Sequence, residues 1–177
     1  MQNLLRFFEQ ASRLKTTPRA GWRRCGVQPC ESVAEHTFGV ALLALVLPRL
    51  AGLNVRREHC IALALVHDLA EAIVGDITPH DGVEAPEKRR REEQAIRELA
   101  ESLGDDEILT LWLEFEEAKT PEAQLVRDLD VIEMTLQAKA YERIGSLSAD
   151  QARGFIDSAR SRIRTAAARE MLDALTK

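Results

Sequence analysis

The sequence predicts an all-helical fold on three observations. Apolar residues recur at three- and four-residue spacing through most of the chain, no segment sustains period-two alternation, and Ser, Thr, Pro and Gly fall where helices start and stop. With 177 residues and 45% hydrophobic content, the chain can build one full core without disulfides. It has no internal repeat and no linker rich in Pro, Gly or Ser. One globular bundle of about seven helices over residues 1–177 is the expectation.

The first helix is placed at Asn3 to Leu14, where Leu4, Leu5, Phe7, Phe8, Ala11 and Leu14 mark an amphipathic stripe, and Pro18 and Gly21 break it. Ser32 with Glu35 three residues on is a capping box for a second helix running to about Leu50, ahead of Gly52. A third, Arg56 to Val74, is nearly all apolar after a basic start and ends at Gly75, a residue suited to a left-handed cap. Pro86 opens a fourth, which runs to Leu103 and stops at Gly104; its charged EKRRREEQ half is read as solvated. Asp105 or Asp106 starts a fifth through Glu117, Thr120-Pro121 a sixth to about Ile144, and Ser148 with Gln151 a seventh toward the carboxyl terminus.

Acidic residues outnumber basic ones, 29 to 24, and the net charge of -5 disfavours a protein built to grip a nucleic acid polymer. The longest strongly apolar run, Val40 to Leu47, is too short to span a bilayer, and MQNLLRFFEQ lacks a basic-then-apolar signal pattern. A cytoplasmic protein with no membrane partner is expected. Cys25, Cys30 and Cys60 lack the paired spacing of a structural zinc site and read as reduced, small apolar residues.

Chemistry is concentrated in LALVHDLAEAIVGDITP, which sets His67, Asp68, Glu71 and Asp76 in apolar surroundings. Ionised carboxylates are costly there without partners, and a divalent cation satisfies a histidine and several acids together. His67 and Glu71, four apart, share a helical face, as do Asp68 and Glu71. His67 and Asp68 diverge by about 100°, so both reach one ion only at a helix end or between helices. His36, isolated in SVAEHTFGVALLALVL, could add a ligand from a neighbouring helix. In LVRDLDVIEM both Asp128 and Asp130 interrupt an apolar series, and periodicity does not choose between them.

The order His36, His67-Asp68, Asp130 resembles the HD-domain phosphohydrolase superfamily, and ESVAEH, HDLAEAIVGDITP and DLDVIEM resemble its 5′-deoxynucleotidase group, over about Gly21 to Tyr141. The resemblance implies an HD-domain helical bundle with a metal-binding core near 30–142. It selects Asp130 over Asp128, and implies His36, His67, Asp68 and Asp130 around one divalent ion, with Glu71 and Asp76 lining the cavity or holding a second ion. It also implies that Arg19 orients the substrate phosphate and that Trp22 crowds the sugar, although Trp22 reads equally as a core anchor. The Arg19-to-Trp22 spacing is wider than in relatives, where the two are adjacent, and Cys25 stands near where similar proteins often carry a basic residue, for which Arg23 or Arg24 could substitute.

A mechanism follows from that constellation: metal-assisted hydrolysis of a nucleoside monophosphate, with Glu71 as general base or water positioner, Asp68 at the metal, and Asp76 orienting substrate. Imidazole with carboxylate and no thiolate suits Mn, Co, Fe or Mg. Competing expectations are a cyclic nucleotide phosphodiesterase, a nucleoside triphosphate hydrolase, or a non-catalytic metal- or nucleotide-binding module. His59 and the run Lys88–Arg91 read as solvated, His80 as a polar loop residue, and Trp112 and Phe115 as core or dimer contact. A homodimer is expected, through apolar faces of the later helices.

Overall fold

The structure, a computed structural model, describes residues 1–176. Ten α-helices follow in order among them: α1 (Gln2–Ala11), α2 (Ala20–Arg24), α3 (Val33–Leu50), α4 (Arg57–Val66), α5 (Glu71–Val74), α6 (Ala85–Leu103), α7 (Glu107–Glu117), α8 (Pro121–Arg143), α9 (Ala149–Arg162) and α10 (Ala166–Leu175). No strand forms among the described residues; Pro18 and Ser32 make one isolated antiparallel bridge.

Central to the bundle is α8, whose apolar residues are buried around much of its circumference. On one side it meets α3 and α4, where Val40, Ala44, Leu63, Ala64, Val126 and Leu129 interlock. On another it carries α9 and α10, through Val131, Ile132, Ala159, Ile163 and Leu172. A third cluster, with Leu14, Ile96, Leu99 and Trp112, ties the amino-terminal segment to α6 and α7. Trp112 is 1% exposed, which makes it core.

Several local signals act as expected. Ser32 Oγ accepts from the Glu35 amide while the Glu35 carboxylate accepts from the Ser32 amide, and Ser148 with Gln151 closes a second such box. Gly104 caps α6 in the left-handed conformation, φ 77° and ψ 30°. Gly75, by contrast, has φ 76° with ψ 170°, a glycine-favouring but extended conformation rather than a left-handed helical cap.

Boundaries differ in three places. The segment around Pro18 and Gly21 contains the short α2. The expected Arg56–Val74 helix is interrupted between α4 and α5, and the expected seventh helix is divided into α9 and α10. The end of α3 at Leu50 is as expected; the helix continues through Pro48 and, unlike the Val40–Leu47 run alone, is long and apolar enough, by length and composition, to cross a membrane.

Candidate active site

The site forms where α4 gives way. From Val66 onward the winding tightens to bonds spanning three residues: Leu69 N–H to Val66 O at 3.0 Å, Glu71 to Asp68 at 3.0 Å and Ala72 to Leu69 at 3.2 Å. His67 and Asp68, which would diverge on a regular helix, here bring Nε2 and Oδ2 to 3.2 Å. His67 Nδ1 lies 2.7 Å from Ala64 O, and a carbonyl only accepts, so Nδ1 carries the proton and Nε2 is free to ligate.

From α3, the fully buried His36 places Nε2 3.4 Å from His67 Nε2 and 3.7 Å from Asp68 Oδ2. Donor atoms of these three residues all lie within 4.8 Å of one another. Asp130 of α8 flanks the trio through Oδ1, 3.1 Å from His36 Nε2. An octahedral divalent ion with bonds of about 2.1 Å sets neighbouring donors roughly 3 Å apart. These spacings, and a donor set of imidazole and carboxylate, fit such an ion.

Electrostatics point the same way. Burial opposes the charge on His36, yet Asp130 and Glu133 lift its pKa to about 10. Asp130 is held down at about 2 against its burial, chiefly by its bond to His36. Burial likewise opposes ionisation of Asp68, but His67 and Arg19 hold its carboxyl well below the usual range. Glu71 moves the other way: burial, then Asp68 and Asp76, push it well above an ordinary carboxyl, and its Oε2 is buried with no hydrogen-bond partner. An orphaned acid oxygen beside a ring of donors is what a bound cation or water satisfies.

Beside the cluster opens a cavity of about 520 Å³, bordered by Arg19, Asp68, Glu71, Asp76, Lys88 and Asp130 among others. The loop carrying Arg19 is fastened to the start of α3 by Arg19 N–H to Glu31 O at 3.0 Å and Val33 N–H to Thr17 O at 2.8 Å. Asp76 accepts from the Ala20 amide at 2.7 Å, so it holds the start of α2 as well as facing the cavity. Arg19 Nη1 is thereby set 3.3 Å from Asp68 Oδ2 and 3.9 Å from Asp76 Oδ2.

Trp22 borders the cavity but is only 2% exposed; its indole N–H donates to Glu31 Oε1 at 2.7 Å, and Phe155 packs on its ring at 4.4 Å. It is an anchor with one edge at the site. Arg24 and His80 sit at the cavity wall, Arg24 paired with Asp81, whereas Arg23 does not line it. Asp128 turns elsewhere, accepting from the amides of Arg164 and Thr165.

Two readings of surface residues need correction. His59 is half-buried and its Nε2 lies 2.8 Å from Glu114 Oε2. Arg90 and Arg91 do pair with Glu87 on the surface, but Lys88 turns into the cavity with Nζ 3.4 Å from Glu92 Oε1. The signal was present, because Lys88 and Glu92 extend the buried stripe of Ala95, Ile96 and Leu99 at helical spacing. Arg162 of α9, which the sequence reading did not single out, also borders the cavity, 3.8 Å from Asp130.

The family described as HD domain matches residues 11–171. The chain belongs to the HD-domain family. A curated 5′-deoxynucleotidase of Danio rerio is 43% identical over 81% of this chain and 72% of its own length, and one of Schizosaccharomyces pombe is 41% identical over 80% and 73%. A Pyrococcus horikoshii protein of known structure superposes with a TM-score of 0.82 at 32% identity, covering 97% of both chains. Another, from Magnetospirillum magnetotacticum, described as a predicted metal-dependent phosphohydrolase, gives 0.74 at 25% identity over 98% of this HD-domain chain and 91% of the other.

Proposed function

We propose that this HD-domain chain is a metal-dependent 5′-deoxynucleotidase that hydrolyses the 5′-phosphate of (deoxy)nucleoside monophosphates. The observation carrying the reading is the convergence of His36, His67, Asp68 and Asp130 from three helical segments beside a cavity that also holds Arg19 and Glu71. Similarity to curated 5′-deoxynucleotidases along four fifths of the chain supports the substrate class.

In this reading His36, His67, Asp68 and Asp130 hold a divalent cation, Mn, Co, Fe or Mg, and Glu71 with Asp76 are candidates for a second. Such a cation, when bound, lowers the pKa of water toward about 7 and neutralises charge on the phosphoryl oxygens. Arg19 offers its planar fork to the phosphate, with Lys88 and Arg162 as further cations on the same wall. Glu71, through its free Oε2, takes the proton of the attacking water, a task suited to a carboxyl with a raised pKa. Asp76 keeps Arg19 in place through the Ala20 amide. Trp22 and the Phe155 ring packed on it limit the space for the sugar.

A cytoplasmic homodimer completes the proposal. The three free thiols suit a reducing compartment. Exposed apolar side chains suited to a dimer contact lie on α3, where Phe38, Leu42 and Leu45 share one stripe, rather than on the later helices.

The test is phosphate release from ribo- and deoxynucleoside monophosphates in the presence of each metal. Release from deoxynucleoside monophosphates that stops with chelator is expected; no release under any metal, or activity confined to cyclic nucleotides or triphosphates, defeats the proposal.

A further inference from the structure

His36 is gripped by α8 on both ring nitrogens. Asp130 Oδ1 faces Nε2 at 3.1 Å, and Glu133 Oε2 lies 2.5 Å from Nδ1. The two acids are three residues apart, on one face of α8. Glu133 is 9% exposed, and among the described residues His36 is its one ion-pair partner, while Glu31, another buried acid, stands beside both. A buried carboxylate so placed is costly unless its single bond has a use.

A second observation comes from α3. Gly39 lies three residues after His36 on the side facing α8, and a Cβ there would stand 2.6 Å from Glu133 Oε1 and 2.8 Å from its Cγ. Glycine inside a helix costs about 1 kcal/mol relative to alanine, so its presence matches the close approach of this carboxylate. The other imidazole, His67, is oriented by a neutral carbonyl instead.

We propose that Glu133 is a positioning residue: it fixes His36 as the Nδ1–H tautomer with Nε2 presented to the cation, and Gly39 supplies the gap that admits it. The inference rests on the reading of His36 as a ligand. A carboxylate behind a ligating imidazole raises its basicity, and loss of such a partner typically weakens metal binding about 10- to 100-fold.

Two variants test it, Glu133→Gln and Gly39→Ala, with folding checked by circular dichroism, manganese affinity by calorimetry, and the His36 ring protonation by ¹⁵N spectroscopy of the zinc-loaded protein. The wild type should show the proton on Nδ1. Glu133→Gln, which keeps an acceptor but loses the charge, should raise the manganese Kd about tenfold, and Gly39→Ala should raise it by a similar factor without touching any ligand. Folded variants with Kd values within twofold of wild type, or a zinc-loaded His36 protonated at Nε2, overturn the inference while leaving the metal site standing. Should Glu133→Gln fail to fold, the wild-type ring proton decides. A wild type that takes up no cation overturns the ligand reading and this inference together.

Discussion

Replacing Asp128 and Asp130 separately by alanine should divide stability from metal binding, although the two residues are neighbours in one sequence motif. Asp128 is 3% exposed and its carboxylate accepts from two amides, Arg164 at 3.1 Å and Thr165 at 2.6 Å, which turns the chain from α9 into α10. Hydrogen bonds to a charged group contribute about 1.5–3 kcal/mol each. Two give roughly 3–6 kcal/mol, and rehydration of the freed amides in the linker reduces the loss to about 3 kcal/mol. For a chain of this size that lowers Tm by about 6–12 °C. Asp130→Ala gives up the bond to His36, but the imidazole can then release its proton and the repulsion from Asp68 is relieved, so the metal-free protein should lose less stability than Asp128→Ala while manganese binding falls below detection. Circular dichroism melts with and without chelator, paired with manganese titrations, read both effects. An Asp128→Ala protein that melts within 2 °C (roughly 1 kcal/mol) of wild type, or one that loses manganese as Asp130→Ala does, refutes the reasoning.

Asp68→Ala should abolish metal-dependent turnover and the thermal stabilisation given by saturating manganese, about 3 kcal/mol at a hundredfold excess over Kd, while keeping the helical spectrum; retained turnover removes Asp68 from the chemistry. Arg19→Ala should lower kcat/KM for nucleoside monophosphates about 100-fold, since a desolvated charge pair to the phosphate carries roughly 2–5 kcal/mol, and a change under threefold would exclude that contact. Glu92→Gln should flatten the pH dependence of stability. Burial raises the Glu92 carboxyl to about 7 despite Lys88, so the folded state holds a proton that the unfolded state gives up near 4.5. Wild-type stability therefore falls as pH rises from about 5 to 8, by on the order of 3 kcal/mol, and the Gln variant should gain on wild type over that window in urea melts of metal-free protein. Parallel curves would show that Glu92 ionises normally.

Helix identity was legible because apolar periodicity and capping residues are local signals, and Ser32 and Ser148 cap as their sequences dictate. Breaks within apolar sequence were not. Between Val66 and Glu71 no Pro or Gly announces a change of winding; what breaks the helix is a tightening of backbone bonds that serves the placement of His67 and Asp68. The division at Ile163–Thr165 is likewise set from afar, by Asp128 reaching the linker amides. For the same reason spacing alone left Asp128 and Asp130 level: both interrupt apolar sequence, and only the partners each meets tell them apart. Lys88 was misread because a run of like charges hides one member that lies on the buried stripe.

The site itself is a local violation of the rules that shape the rest of the molecule. Asp68, Glu71, Asp76 and Asp130 crowd one region, with Arg19 beside Asp68 and Asp76 and Arg162 beside Asp130, and the strain is expressed in opposite directions, with Asp68 driven far toward ionisation and Glu71 away from it. Acids pushed apart in this way are ready for different tasks, one to stay charged against a cation and one to accept and release a proton. A core chosen only for stability would not keep a partnerless carboxyl oxygen beside two buried imidazoles. That cost is intelligible if the missing partner is the water that the proposed mechanism has Glu71 deprotonate, because the oxygen left without a partner in the fold is then the one that the reaction uses.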